Sequence, residues 1–255
     1  RDHRLRVLLP TGAQSATYLA DGAFDVVERP IALPADNHTR RELAVETCAQ
    51  QTWTAVADGR RGLAVVAPGL METAVRDLPE RTLALTLFRS TRRTVLTDGQ
   101  PQGQLQGELV FNYWIEPVAG AVDRVHLAEC GIQLGAGLRN AQVTTASLAA
   151  IGAGPALPPA ASFLAVTGGV VTTSVRQRED GLEVRFFNPG AAEVTATCDF
   201  RGRPAPALRP LWAQRMNFDG QKLGRPAKVS RGTFSLPVRP KQIITLRFAS
   251  APGKP

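Results

Sequence analysis

The densest hydrophobic pattern of the chain lies between Trp53 and Ser90, where four short apolar runs alternate with turn residues. The runs are WTAVA, GLAVVA, METAV and RTLALTLF, and the first three are separated by Asp58-Gly59 and Pro68-Gly69. Runs of β-branched and aliphatic residues bounded by glycine, proline and aspartate are typical of strands joined by tight turns. The stretch therefore predicts a meander of buried strands.

The last of these runs has a period of two. Leu83, Leu85 and Leu87 fall on one face of the predicted strand, and the opposite face also carries small or apolar side chains at Ala84 and Phe88. A helix cannot use this period, because its successive turns repeat every 3.6 residues. The pattern predicts a strand that is covered on both faces.

The end of the chain predicts a second β unit. The runs LEVRFF and EVTATCDF flank Asn188-Pro189-Gly190, a turn signal that predicts an antiparallel hairpin. Asp219-Gly220 predicts another hairpin, and the runs GTFSLPV and QIITLRF predict a closing pair of strands. Short strands with turns at regular spacing are typical of a β-sandwich. The fold class predicted for the whole chain is all-β.

A single short helix and one change of composition interrupt this β pattern. Residues 121–130, AVDRVHLAEC, predict a short helix with Val122, Val125 and Cys130 facing inward. Residues 135–160 are rich in alanine, glycine and proline, which predicts a connection between domains. The predicted domains are residues 1–160, a large antiparallel sandwich, and residues 161–255, a small sandwich.

Charge narrows the possible partners. The chain has 255 residues and a net charge of +8, with 30 basic and 22 acidic residues, and most of the basic residues are arginines spread singly or in pairs. The pairs Arg40-Arg41, Arg60-Arg61 and Arg92-Arg93 fall in predicted turns without interleaved aromatic residues, so they predict solvated surface and no nucleic-acid partner. No apolar run approaches the roughly 20 residues that a membrane helix needs, so no membrane partner is predicted.

The sequence offers little catalytic or metal-binding chemistry. Cys48, Cys130 and Cys198 are far apart and odd in number, which favours buried thiols in a reducing compartment and hence a cytoplasmic location. His126 has no evident partner at ligand spacing, and we expect no metal ligand and no cofactor within the chain. There is no Gly-x-Ser-x-Gly elbow, no glycine-rich phosphate loop and no assignable carboxylate pair. No catalytic residue is predicted, and the chain alone is expected to be inactive.

Several segments carry a family resemblance. The turn Asp58-Gly-x-Arg61-Gly62-Leu, the following Gly-Leu-x-Glu and the later Leu-Thr-Leu-x-Arg-Ser resemble the C-terminal β region of bacterial α-mannosidases of glycoside hydrolase family 38. Further segments fit in the same order: HRLRVLLPTG, AFDVVERP, GELVFNYWIEP, VRQREDGLEVRFFNPG and VRPKQIITLRF. The resemblance is spread over most of the chain, so the chain is expected to be a piece of a longer enzyme.

The resemblance has consequences for fold, activity and site residues. It implies a galactose-mutarotase-like β-supersandwich followed by a smaller immunoglobulin-like β-sandwich. It also implies a separate N-terminal catalytic barrel that holds zinc and a nucleophilic aspartate, so that this chain's partners would be its own catalytic domain and an α-mannoside. The parent would be a retaining exo-α-mannosidase or a relative that hydrolyses mannosylglycerate. In such an enzyme the turn at Asp58, Arg61 and Gly62 would lie close to the substrate.

Two other functions remain open from the residues alone. A free-standing carbohydrate-binding module would stack sugar rings on Trp53, Tyr113 or Trp114, because pyranose rings pack against aromatic faces. A structural β-sandwich would have no sugar-binding role. The exposure of those aromatic side chains separates the first alternative from a packed core.

Overall fold

The computed structural model describes residues 2–92, 103, 104, 106–140, 142, 144–146, 160–179, 181–202 and 209–250. Its contacts divide the chain into two compact units, Arg1–Ala136 and Gly137–Pro255. Most regular secondary structure of the described residues is antiparallel strand, together with the α-helix Arg124–Ala136 and a short 3-10 helix at Asn37–Thr39. The predicted all-β class is therefore confirmed.

Within its described residues, the first unit contains nine strands and the α-helix. Their bounds are β1 Arg4–Leu9, β2 Thr17–Gly22, β3 Asp25–Pro30, β4 Thr47–Ala49, β5 Trp53–Ala57, β6 Gly62–Val66, β7 Glu72–Val75, β8 Leu83–Arg89, β9 Trp114–Val118 and α1 Arg124–Ala136. They form a four-stranded sheet in the order β1-β8-β7-β4 and a five-stranded sheet in the order β3-β2-β5-β6-β9.

The two sheets of the first unit pack face to face around one core. Alternate residues on β2, β5 and β6 meet residues of β7 and β8 there, among them Val56, Val65, Val75, Leu83 and Leu85, each at most 1% exposed. Since β8 has a strand on either side in its sheet and is buried on both faces along Leu83–Thr86, the predicted covering of both faces is confirmed.

Helix α1 covers the other face of the five-stranded sheet. Leu127 packs with Trp53, Ala64 and Val66, all at most 2% exposed. Asp123 precedes the helix, and its carboxylate accepts hydrogen bonds from the backbone N–H groups of the first helical turn, which otherwise have no acceptor. The helix begins and ends later than the predicted 121–130, and Leu127, Ala128 and Gly131 are its buried residues.

In the part of the second unit that the structure describes there are eight strands: β10 Ala165–Thr167, β11 Val171–Arg178, β12 Gly181–Phe187, β13 Val194–Asp199, β14 Trp212–Met216, β15 Lys222–Lys228, β16 Thr233–Val238 and β17 Ile243–Ala249. Their sheets have the orders β10-β13-β16 and β11-β12-β17-β14-β15. Side chains from both sheets share one core, in which the rings of Phe200 and Phe248 meet edge to face with centroids 4.7 Å apart. This two-layer arrangement has the proportions of an immunoglobulin-like sandwich.

The predicted hairpin around Asn188-Pro189-Gly190 is wrong. Strand β12 pairs with β11 and β17, whereas β13 pairs with β10 and β16 in the other sheet. The turn is therefore a crossing between sheets, and the buried Asn188 side chain secures it by donating to Ala192 O and Val238 O. The predicted closing pair is wrong for the same reason, because β16 and β17 lie in different sheets. The Asp219-Gly220 hairpin does form, between β14 and β15.

Other expectations are only partly met. The segment GELVFNYWIEP, named above for its resemblance, is in a regular strand only from Trp114 onward. The predicted division at residue 160 stays a prediction, since most of residues 141–159 lie outside the described part of the chain. All three cysteines are described and none forms a disulfide; Cys198 is buried in the second core, and burial raises the pKa of its thiol to about 12. Within the described residues, no helix is both long and apolar enough to cross a membrane.

Candidate functional site

The tight turn between β5 and β6 holds the three residues that the sequence pointed to. The Asp58 N–H donates to Arg61 O at 3.1 Å, which closes the turn, and Gly62 begins strand β6 directly afterwards. Asp58 Oδ1 accepts the N–H groups of Arg60 at 2.9 Å and of Arg61 at 3.0 Å. The Asp58 carboxylate therefore holds the backbone of the turn in place through these two hydrogen bonds.

The same carboxylate ties the turn to the loop between β1 and β2. Asp58 Oδ2 accepts the backbone N–H of Gln14 at 2.8 Å. Three N–H donors favour the ionised carboxylate, and they lower the pKa of Asp58 to about 2, with the Gln14 bond as the largest cause. Asp58 is thus ionised at neutral pH and its oxygens are occupied, which suits it to positioning and not to donating a proton.

Gly62 is required by a close approach of two backbones. A Cβ at this position would lie 2.2 Å from Val56 O and 2.6 Å from Ala57 Cα. Because backbone atoms of a paired strand cannot move aside without breaking the sheet, no other residue fits here. The Asp-Gly-x-Arg-Gly pattern is therefore explained locally by the turn itself.

A third loop, between β7 and β8, completes this end of the first unit. Glu80 O accepts the N–H groups of Thr11 at 3.0 Å and Gly12 at 2.9 Å, and Arg81 Nε donates to Ser15 O at 2.9 Å. The Gln14 side chain donates to the backbone of the same β7–β8 loop. Three loops from both sheets are thus joined at one end of the sandwich, where loops can face a ligand or another domain.

The joined loops border an open cavity of about 540 Å³. Its lining residues are Gln14, Asp58, Arg60 and Arg61. Arg61 is exposed and runs past Gly12, where an added Cβ would lie 3.8 Å from its Cζ. In the described part of the chain its guanidinium makes no hydrogen bond, so its N–H groups are available to a ligand. A planar guanidinium with available N–H groups is suited to sugar hydroxyls and to carboxylates.

The cavity does not fit the catalytic zinc that the family resemblance implies. Among the described residues that line it, Asp58 is the single carboxylate and none is a histidine or a cysteine, and two arginines bring positive charge that repels a cation. If a zinc ion takes part in the chemistry of the parent, its ligands are not those of this cavity.

The aromatic residues proposed as a sugar platform differ in exposure. Trp53 is 0% exposed in the core beneath helix α1, which rules it out as a platform. Tyr113 packs against the core between the sheets, and Trp114, on edge strand β9, is 42% exposed. Only one of the three named aromatic side chains could therefore meet a ligand face.

Sequence reasoning missed one group of potential metal ligands. Glu116, His126 and Cys130 offer ligand atoms that all lie within 4.8 Å of one another. The available signal was the four-residue spacing of His126 and Cys130, which places both on one face of a helix. Glu116 could not be added from the sequence, because the pairing of β9 with β6 brings it to the helix.

Known proteins similar to this chain point to one family. The chain is 26% identical over 265 residues to a protein of Halalkalibacterium halodurans named "Putative mannosylglycerate hydrolase". It also matches the crystal structure of an α-mannosidase from Enterococcus faecalis V583, with 26% identity and a TM-score of 0.74. A protein in glycosyl hydrolase family 38 from Enterococcus faecalis matches with 28% identity and a TM-score of 0.71.

The resemblance to family 38 α-mannosidases is confirmed. Each of the three matches covers 97% of this chain but 26% of the other protein, so the chain spans about a quarter of the length of its relatives. No protein-family model matches the chain. The similarity to family 38 proteins thus extends over both units of the chain, and it concerns one part of those larger proteins.

Proposed function

We propose that this chain is the C-terminal, non-catalytic β region of a retaining, zinc-dependent exo-α-mannosidase of the family 38 type. The observation that carries the proposal is the match over 97% of the chain to only 26% of a solved α-mannosidase. The chain would brace a catalytic barrel supplied by the rest of the protein. In that barrel a bound zinc would hold sugar hydroxyls at the reacting ring.

We further propose that the turn from Asp58 to Gly62 forms one wall of the sugar site. Asp58, ionised and bonded to three N–H groups, holds the turn in shape. Arg61 is the group of this turn that would contact substrate, donating N–H groups to a sugar hydroxyl. Since Arg61 borders a cavity of about 540 Å³ and its guanidinium makes no hydrogen bond among the described residues, it is available for this contact without a change of fold.

The charge of the cavity bears on the substrate. Arg60 and Arg61 give it two cations against the one anion of Asp58. Such a cavity favours an α-mannoside whose second component carries a carboxylate, as in mannosylglycerate, because a guanidinium binds a carboxylate in a two-point geometry. A relative named as a mannosylglycerate hydrolase supports this choice.

The test is a pair of single substitutions in the full-length protein that contains this chain. We expect Arg61→Ala to lower kcat/KM for α-mannosides by about 10-fold to 100-fold, the effect of losing a charged hydrogen bond to substrate. Arg41→Ala is the control: it removes an exposed arginine that does not line the cavity, and we expect a change of less than about threefold. Arg61→Lys should recover part of the activity towards a neutral mannoside, because it keeps a donor.

Two results would contradict the contact. Unchanged kinetics in Arg61→Ala would mean that the side chain does not reach substrate, and equal losses in both variants would indicate a general charge effect. Comparing mannosylglycerate with a neutral aryl α-mannoside tests the substrate choice, since the loss in Arg61→Ala should be larger for the anionic compound.

A further inference from the structure

Three side chains of different chemistry meet between strand β9 and helix α1. His126 and Cys130 lie one helical turn apart on the same face of the helix. Glu116 lies on β9, opposite Ala64 of β6. Val118 lies two residues further along the same face of β9, and it packs against the cluster beneath the helix that contains Leu127. The strand thus presents the Glu116 carboxylate to the helix face that carries the imidazole and the thiol.

The distances between their donor atoms are short. His126 Nε2 lies 3.0 Å from Glu116 Oε1 and 3.2 Å from Oε2. Cys130 Sγ lies 3.6 Å from the same Nε2, and the three ligand atoms all lie within 4.8 Å of one another. Zinc bonds of about 2.0–2.3 Å directed to the corners of a tetrahedron place neighbouring ligand atoms roughly 3.3–3.7 Å apart. Small adjustments of side-chain angles would therefore bring the three atoms around one ion.

The donor set favours a transition metal. A thiolate, an imidazole and one carboxylate are ligands of zinc and cobalt, whereas calcium and magnesium require a shell of oxygen atoms. We propose that Glu116, His126 and Cys130 bind a zinc ion, with the fourth coordination position open to water. All three side chains are at least partly exposed, so an ion can reach them from solvent.

Both elements that carry the ligands are held firmly. A Cβ at Gly131 would lie 2.2 Å from Thr52 Oγ1, which shows how closely the helix sits on the loop before β5. Leu127, in the turn between the two helical ligands, is 2% exposed. Ligands on a packed helix and a paired strand are positioned more accurately than ligands on loops, which lowers the cost of organising the site.

The simpler interpretation is a surface ion pair of His126 and Glu116 with a thiol nearby. That arrangement accounts for the 3.0 Å contact but assigns no role to the thiol. The zinc site differs from it in one measurable respect: the thiol becomes a metal ligand. It also does not depend on the proposed mannosidase role, since its residues are not those of the cavity at Asp58 and Arg61.

Cobalt spectroscopy tests the proposal on the untagged 255-residue chain, freed of metal with a chelator. We expect one equivalent of Co²⁺ to produce a thiolate-to-cobalt charge-transfer band, and zinc to abolish the band by displacement. The Cys130→Ser variant should lose the band. Cys48→Ser, which removes another partly buried thiol, should keep it.

The two other ligands are tested by affinity. We expect His126→Asn and Glu116→Gln to weaken zinc binding by about tenfold or more, and Glu129→Gln, a neighbouring carboxylate on the same helix, to leave it unchanged. Circular dichroism of each variant shows whether it is folded. If a substitution in the helix unfolds the protein, the strand variant Glu116→Gln still tests whether the site binds zinc. Absence of the band in the wild-type chain, or equal zinc affinity in Glu116→Gln and Glu129→Gln, would overturn the proposal.

Discussion

Two carboxylates of the first unit each accept three backbone hydrogen bonds. Asp58 accepts the N–H groups at the turn after β5. Asp21 accepts those at the start of β5, from Gln51 at 2.9 Å, Thr52 at 2.7 Å and Trp53 at 2.9 Å. Both supply acceptors for backbone N–H groups at one end of the strand, and the Gln51 N–H also donates to the backbone Asp21 O at 3.1 Å. Strand β5, which borders the candidate site, is thus fixed at both ends by an acidic side chain.

Stability should depend on pH through Asp58. Its folded-state pKa of about 2 is lower than the roughly 3.9 of an unfolded aspartate, so the stabilisation is present above the unfolded value and is lost as pH falls through the folded one. In the Asp58→Asn variant one of the two carboxylate oxygens becomes an NH₂ group, which cannot accept a hydrogen bond. Either the Gln14 N–H or the N–H groups of the turn then lose their acceptor. We expect urea unfolding to show the wild type as the more stable at pH about 6, with the difference shrinking towards pH about 2.

The wild type and the Asp58→Asn variant are compared at each pH, so the effect of other titrating groups on the free energy of unfolding cancels. Asp199 of the second unit also has its pKa lowered to about 2, by hydrogen bonds from Arg201, and it titrates in the same range in both proteins. A difference that stayed constant from pH about 6 to about 2 would show that Asp58 is not the ionised acceptor described.

Asp21 should matter more for stability, because it is buried. Its Oδ2 also accepts the Thr52 hydroxyl at 2.5 Å, and the residue is 8% exposed. Asp21→Ala would leave the N–H groups of Thr52 and Trp53 without their acceptor, so we expect a loss of about 2–4 kcal/mol in the free energy of unfolding. The control Asp36→Ala removes an exposed ion pair with Arg40 and should cost less than about 1 kcal/mol. Equal losses would contradict the role of Asp21.

Some contacts of the candidate sites can be predicted from the sequence, and others cannot. Asp58, Arg61 and Gly62 stand within one turn, and turn chemistry is local, so the sequence alone places them together, while their closeness to substrate stays a prediction. The hydrogen bond from Gln14 and the approach of Glu116 to His126 join residues from separate strands. Such contacts depend on which strands pair, and a single sequence does not state the pairing.

At the scale of elements, strands were easier to predict than their partners. The runs from β5 to β8 were recognised by period and turn residues. The connection from β12 to β13 carries an equally strong turn signal, yet it crosses between sheets, because the buried Asn188 bonds the chain to Val238 of β16. Asparagine, proline and glycine permit a sharp change of direction, and the core decides whether the next strand stays in the same sheet.

The contact of helix α1 with the loop before β5 can be tested at Gly131. Alanine raises helix propensity by about 1 kcal/mol, but its Cβ would lie 2.2 Å from Thr52 Oγ1, which the bond to Asp21 holds in place. We expect Gly131→Ala to lower the free energy of unfolding by about 1–3 kcal/mol in urea titrations.

Two further variants make this result specific. Gly135→Ala, whose Cβ would meet Pro68 Cβ at 3.3 Å, should cost less than Gly131→Ala. In the double variant Thr52→Gly with Gly131→Ala the two losses should not add, because both atoms that the added Cβ would meet, Thr52 Oγ1 at 2.2 Å and Thr52 Cβ at 2.6 Å, are removed. Full additivity would mean that Thr52 does not restrict the helix.

At the scale of the whole molecule, two units each have their own core and together match one part of larger enzymes. The proposed division of labour rests on this match: the chain would supply support and one wall of the sugar site, and the rest of the parent would supply the reacting groups. Ordered motifs spread over both units make this level accessible from the sequence. The choice of substrate could not be predicted in the same way, because it depends on which side chains the fold brings together around one cavity.

The chain alone should therefore be inactive. We expect the purified 255-residue chain to hydrolyse neither an aryl α-mannoside nor mannosylglycerate, with or without added zinc, while the full-length parent hydrolyses at least one of them. Activity of the isolated chain that survives repurification would show that the reacting groups lie within it.

The most direct test of the central claim is the mass of the native polypeptide that carries this sequence. An antibody raised against the chain would detect it in a lysate of the source cells, fractionated and assayed for zinc-dependent α-mannosidase activity. Because the chain corresponds to 26% of its relatives, the account predicts a band about four times as heavy as 27.3 kDa that co-fractionates with the activity. A band at 27.3 kDa, separate from any such activity, would contradict it.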